Sequence, residues 1–181
     1  MNAMLKEEEI RKETVSHIAK QMMVAARTAP KAKGLDSLEI GLVLPDDFEP
    51  ILLKMNEIAA REGMPFFVRD ATNLQKSQAL VLIGSRIETR NLKICGFCGH
   101  TDCTTKSLYA DAPCAFNTID LGIAVGVAVS IASAHGLDNR IMFSIGKAVI
   151  ELGLFNPDCK VVLGIPLSVS SKSPFFDRPS L

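Results

Sequence analysis

Helical and extended periodicities interleave along the chain, and their order predicts a mixed α+β or α/β layered domain. Three observations carry that expectation. The 181 residues fit the ~100–200 of one domain. Hydrophobic residues make up 48% and charged residues 22%, enough apolar surface for a sizeable core and near ordinary globular usage. No internal repeat, low-complexity tract or linker rich in Pro, Gly or Ser divides the chain. Residues 1–181 therefore read as a single domain, with a Cys-rich insertion at about 90–117 and a polar tail at about 168–181. Its core closes alone or against a second copy.

From about Leu5 to Ala29, Ile10, Val15, Ile18, Met22, Met23 and Ala26 recur at helical spacing. Glu7, Glu8 and Glu9 at the start and Arg27 at the end complement the helix dipole, and Pro30 and Gly34 stop it. Glu39 to Leu44 alternates and predicts a strand. Asp46 with Glu49 resembles a capping box for a helix carrying Ile51, Leu52, Met55, Ile58 and Ala59 on one face and ending at Gly63. Phe66-Phe67-Val68 and Ala79 to Ile83 are short apolar runs, read as strands. Asn117 with Asp120 can cap a helix running to His135, stopped by Gly136 and so apolar all round that protein should cover every side. On it, Gly122 and Gly126 would let a backbone or flat ligand come close. Asp138 is expected to cap a last helix with Ile141, Ile145, Ala148, Val149 and Leu152 inward, closed by Gly153. Lys160 to Ile165 then forms a strand ending at Pro166. The tail with Pro174-Phe175-Phe176 either wraps a partner subunit or hangs loose.

Twenty basic against twenty acidic residues leave no net charge to draw a phosphate backbone or an anionic lipid. One Tyr and no Trp make a base-stacking surface improbable. A nucleic-acid or membrane-surface role is therefore not expected. The acidic N-terminus lacks the basic and apolar regions of an export signal, and the longest uncharged run, Leu121 to Ala134, falls short of the ~20 residues of a membrane span. The expected location is cytoplasmic.

Four of the five Cys fall in one stretch, as Cys95-x2-Cys98-x4-Cys103-x10-Cys114. In a chain without an export signal, that favours metal or redox chemistry over structural disulfides. A two-residue gap beside Gly lets two thiolates turn to one point, and two more complete a tetrahedral zinc site or the corners of an iron–sulfur cluster. Arg90, Lys93, Lys106 and His100 could offset residual negative charge there, whereas Asp102 and Asp111 would oppose it. Three readings stay open: an iron–sulfur cluster, a structural zinc, or a Cys95–Cys98 dithiol with no metal. Cys159, alone before a buried strand, reads as a small core hydrophobe. His17 and His135 fit structural places on helices. No HExxH, no P-loop and no Ser/His/Asp order is present.

With these residues in view, the chain resembles the bacterial and archaeal proteins containing a ferredoxin domain. The resemblance rests on residues 25–34, the Cys95 to Cys103 run, Pro113 to Asn117 with Asp120 to Ala124, Gly164 to Ser168, and Lys172 to Arg178. A more distant similarity is to nitroreductase-like flavoproteins, through Ala29-Pro30-Lys31, Ala134-His135-Gly136-Leu137 and Gly164-Ile165-Pro166. That likeness implies a mixed sheet with helices on both faces, a homodimer, and FMN held between subunits. Arg27, Lys31, Lys33, Lys172 and Arg178 could then supply positive charge to the FMN phosphate from the two chain ends, or be ordinary solvated cations.

Two functions follow as expectations. The first is a redox protein or oxidoreductase with an iron–sulfur cluster (4Fe-4S) on Cys95, Cys98, Cys103 and Cys114, with FMN beside it and a redox partner protein. The second is a zinc-stapled, non-enzymatic binding or scaffold protein on the same fold.

Overall fold

The computed structural model describes residues 4–176. The elements run α1 (Glu7–Thr28), β1 (Leu38–Val43), α2 (Glu49–Glu62), α3 (Pro65–Gln75), β2 (Ala79–Arg86), α4 (Cys103–Ser107), α5 (Ala115–Ala134), β3 (Asp138–Asn139), α6 (Phe143–Glu151) and β4 (Cys159–Ser168). The four strands form one sheet in the order β1-β2-β4-β3, each pairing antiparallel.

Helices cover both faces of this sheet, because β2 is apolar at successive positions and a strand sends alternate side chains to opposite sides. Ala79, Val81 and Ile83 meet α1 and α5, together with Ile165 and Leu167. Leu80 and Leu82 meet α2, α3 and α6, together with Val162. At ~25 cal/mol per Å² of apolar area removed from water, these two cores supply the main drive to fold. Close contact is enforced where α6 crosses β4: a Cβ at Gly146 would lie 1.7 Å from the Val162 carbonyl oxygen.

Several elements depart from the sequence expectation for identifiable reasons. Phe66-Phe67-Val68 is helical, not extended: Pro65 opens α3, and Phe67, Ala71 and Leu74 bury one face at helical spacing. The Asp46–Glu49 capping box does not form, because residues 45–47 make a 3-10 turn and Phe48 takes the N-cap of α2 without a side-chain bond. Asp138 lies in β3 opposite Ser168, so α6 starts later and Ile141 is 45% exposed.

Pro166 does not end β4. Gly164 directs its N–H and C=O to Met142, at 3.0 and 2.7 Å, and two residues on Pro166 faces the same way. Its missing N–H therefore takes nothing from the β2 ladder, where it stands opposite Leu80. Pro174 to Phe176 does not hang loose: Phe175 is buried in the core beside α6, and the Arg140 guanidinium donates to its carbonyl at 2.9 Å.

The helix α5 matches expectation in length and in its Gly136 stop, and within this chain only one side of it is covered. Leu121, Ala124, Val125, Ala128 and Ala132 pack toward α1 and the sheet, while Ile119, Gly122, Ile123, Gly126 and Ser130 face outward. By length and composition α5 could cross a membrane. Its packing makes it a core helix of this domain.

Candidate metal centre and cation sites

The stretch from Ile87 to Asp102, between β2 and α4, has no regular secondary structure. Gly96 and Gly99 each follow a Cys with φ near +80°, a left-handed conformation that L side chains resist, so the chain reverses after Cys95 and again after Cys98. The Gly99 N–H closes this turn on the Gly96 carbonyl at 2.9 Å. Phe97 at its tip stacks on Phe116, with ring centroids 5.9 Å apart. Asp102 then caps α4 by accepting the Thr105 N–H at 2.7 Å, a bond that lowers its carboxyl below the usual range.

All five cysteines are free thiols. Cys95, Cys98 and Cys103 are half-buried, and Cys103 Sγ reaches only the Leu92 carbonyl, at 3.9 Å. Cys114 is buried at the N-cap of α5, a place the sequence reading gave to Asn117. Asn117 instead occupies the third helical position, and its Oδ1 accepts the N–H groups of Cys114 and Glu88, each at 3.2 Å. One amide thus ties the exit of β2 to the head of α5. Among the described residues, no three His, Cys, Asp or Glu side chains gather at one point as metal ligands.

The expected counter-charges disperse. Arg90 is buried and turns to α5, where Nη2 donates to Asp120 Oδ2 at 3.0 Å and to Ser37 Oγ at 2.7 Å. Asp120 also accepts the Ala32 N–H at 3.0 Å, so this pair joins the α1–β1 turn to the central helix. Arg90 Nη1 stands 3.6 Å from the Glu88 carboxylate as an ion pair, and Arg90 Nε and Asn117 Nδ2 are buried without a hydrogen-bond acceptor among the described residues. Buried donors of this kind demand an acceptor. Lys93 is exposed, His100 stacks on Tyr109, Asp111 pairs with Lys160, and Lys106 lines a cavity behind α4.

The five cations expected at a flavin phosphate divide between two places. Arg27 donates to Asp36 at 2.6 Å and to the Leu38 carbonyl at 3.0 Å. Burial opposes the Asp36 charge, but the Arg27 bond and the Leu38 N–H outweigh it and lower that carboxyl. Lys31 is lowered by burial and caps α1, giving its ammonium protons to the carbonyls of Ala26 and Arg27. Lys33 is exposed with φ 59°.

Lys172 lies next to Ser171, which lines a cavity with Glu7, Arg11, Asp138 and Ser168 at the opposite end of α1. A helix of 22 residues at ~1.5 Å rise separates the two sets by about 33 Å. One chain therefore does not bring them together. Arg178 lies outside the described residues. That cavity, of about 590 Å³, was not foreseen; Asp138 Oδ2 and Ser168 Oγ, residues of its lining, are buried without a partner among the described residues, and Lys172 lines an adjoining pocket of about 240 Å³ that shares Ser168 and Ser170 with it. The lining of the larger cavity comes from three separate segments, residues 7–11, 136–138 and 168–171, so no local motif announces it. His17 and His135 both bond Gln21, at 3.2 and 3.1 Å, as structural residues.

Residues 110–178 match the family described as "Uncharacterized protein containing a ferredoxin domain (DUF2148)", a span that includes Cys114 but not the other three loop cysteines. An uncharacterized protein of Archaeoglobus fulgidus is 41% identical over 97% of both chains. Among solved structures, an FMN-bound nitroreductase from Bacteroides fragilis superposes with a TM-score of 0.62 at 10% identity, over 92% of this chain and 83% of its own. A BluB-like flavoprotein from Clostridium difficile gives 0.56 at 17% identity, over 100% and 87%. An oxidoreductase containing FMN gives 0.58 at 16% identity, over 86% and 67%. Likeness at such identities concerns the fold. On the strength of the archaeal relative and the match to its C-terminal part, the chain belongs to the uncharacterized proteins that contain a ferredoxin domain, built on the nitroreductase-like fold.

Proposed function

We propose that this protein is a cytoplasmic redox protein, a homodimer whose Cys95, Cys98, Cys103 and Cys114 hold an iron–sulfur cluster of the 4Fe-4S kind. The observation that carries the reading is four free thiols within one 20-residue span, two of them in a loop reversed by two left-handed glycines. The donor chemistry fits: soft thiolates, with the Arg90 Nε and Asn117 Nδ2 N–H groups, near in sequence, buried without acceptors among the described residues. Bringing the four sulfurs to one centre would take a rearrangement of the loop around the Gly96 and Gly99 reversals. Ile94, Phe97 and Leu108, all more than two-thirds exposed around the loop, would meet a redox partner protein.

FMN enters the same proposal. The cavity at the head of α1 has room for a polar ligand, its unpaired Asp138 and Ser168 oxygens suit a hydroxyl-rich chain, and Lys172 lines the adjoining pocket that shares Ser168 and Ser170. Arg178 would join Lys172, and Arg27, Lys31 and Lys33 of the partner subunit would supply the remaining charge, since one chain keeps the two sets apart. When bound, a flavin would supply two-electron uptake and a cluster one-electron release. The chain's own part is to bind, orient and keep water from these groups.

The test is anaerobic reconstitution followed by absorption and by iron, sulfide and zinc assays. Wild type is expected to turn brown with iron and sulfide, Cys98→Ser to lose the colour and Cys159→Ser to keep it. Equal colour in both variants overturns the ligand assignment. A colourless protein with one zinc per chain replaces it with the zinc-stapled scaffold. For the flavin, Lys172→Ala or Arg178→Ala should weaken added FMN at least tenfold in calorimetry, and a wild type that ignores FMN ends that part.

A further inference from the structure

A second cavity, of about 340 Å³, lies behind the Cys loop, between the exit of β2 (Ile87, Thr89), α4 and its following turn (Lys106, Ser107, Asp111), and the start of β4 (Asp158, Lys160). Its lining holds a lysine in an unusual state. Lys106 is 97% buried as a residue, yet its ammonium has no hydrogen-bond or ion-pair partner among the described residues. An ammonium set this deep in a cavity, with little contact to water and no acceptor from the chain, favours an anion that enters to meet it.

Depth decides the sign of the site. Asp158 is exposed, and Asp111, which pairs with Lys160 at 3.5 Å, is 89% exposed at its side chain. Both carboxylates sit in water at the rim, where the high dielectric weakens them. The unpaired buried charge is positive. Ser107 spends its hydroxyl proton on the Cys103 carbonyl, at 2.8 Å, which leaves the Thr89 hydroxyl as the neutral donor of the lining.

We propose that this cavity is a binding site for a small phosphate-bearing molecule, with Lys106 as its buried anchor and Lys160 and Thr89 as outer contacts. Two lysines are point charges and suit the rounded charge of a phosphate, whereas no arginine fork is present for a planar carboxylate. Because α4 begins at Cys103, an occupied site would brace the helix that carries one of the loop thiols.

The experiment is a calorimetric titration of the full chain with inorganic phosphate at constant ionic strength, repeated with glycerol phosphate and with acetate. It requires neither metal nor flavin, so it stands or falls apart from the redox reading. Wild type should bind phosphate saturably and more tightly than acetate, with Lys106→Gln weakening it at least tenfold. Lys160→Gln should weaken it about threefold and Asp158→Asn tighten it; both positions are exposed, so these variants fold even if Lys106→Gln does not. Absence of saturable binding, an unchanged affinity in Lys106→Gln, opposite signs in the rim variants, or acetate binding as well as phosphate would each overturn the proposal.

Discussion

Cys159 and the loop cysteines show how environment separates chemically identical side chains. Burial, then the hydrogen bond to Glu39 at 3.5 Å and that carboxylate's charge, push the Cys159 thiol up to about 12. At pH 8, iodoacetamide should therefore modify Cys95, Cys98 and Cys103 at least tenfold faster than Cys159, as read by peptide mass spectrometry. The linkage has a definite sign. A folded value above the unfolded ~8.5 stabilises fully below that pH and is lost as pH rises toward 12. Alkaline melting should accordingly be flatter in Cys159→Ala. That Cys159 is a core residue was legible from its place before an apolar strand. That Lys31 caps α1 and Arg27 holds Asp36 was not, because both contacts exist only once the chain has reversed after Pro30.

Where a helix or strand was misjudged, the window was too short or the partner too distant. Phe66-Phe67-Val68 viewed alone has no period, and the helical spacing emerges only across the eleven residues of α3. The caps at Asp46, Asn117 and Asp138 satisfied a local pattern that neighbouring pairings displaced by a few residues. The same limit applied to Arg90, which looked like a neighbour of the thiols and proves to be the partner of Asp120 across 30 residues of sequence. That pair pins α5 in place with both side chains out of water. Asp120→Ala should cost about 3 kcal/mol in urea denaturation, by leaving the buried guanidinium only the more distant, partly exposed Glu88 carboxylate at 3.6 Å. Replacing both partners, as in Arg90→Met with Asp120→Leu, should cost less than Asp120→Ala alone.

For the molecule as a whole, the alternation of β2 and the amphipathic helices made a layered α+β domain readable, since those signals repeat over many residues. The uncovered side of α5 was not, because a helix apolar all round gives no sign of which face is left open. A Cβ at Gly122 or Gly126 would meet nothing within 4 Å, and Ile119 and Ile123 are 42% and 39% exposed beside them. In the proposed homodimer this strip is the natural place for a second copy, where glycines let two backbones approach closely. Ile123→Glu should convert dimer to monomer in sedimentation velocity while leaving the far-ultraviolet circular dichroism unchanged.

The loop between Glu88 and Asp102 contains a single backbone-to-backbone hydrogen bond among the described residues, the one closing the Gly96–Gly99 turn. Its amides should therefore take up deuterium almost as quickly as a random coil, while β2 and α5 on either side resist for far longer. Any agent that clamps the four sulfurs would slow uptake across this stretch alone, turning the most permeable part of the backbone into a gauge of occupancy that needs neither colour nor turnover.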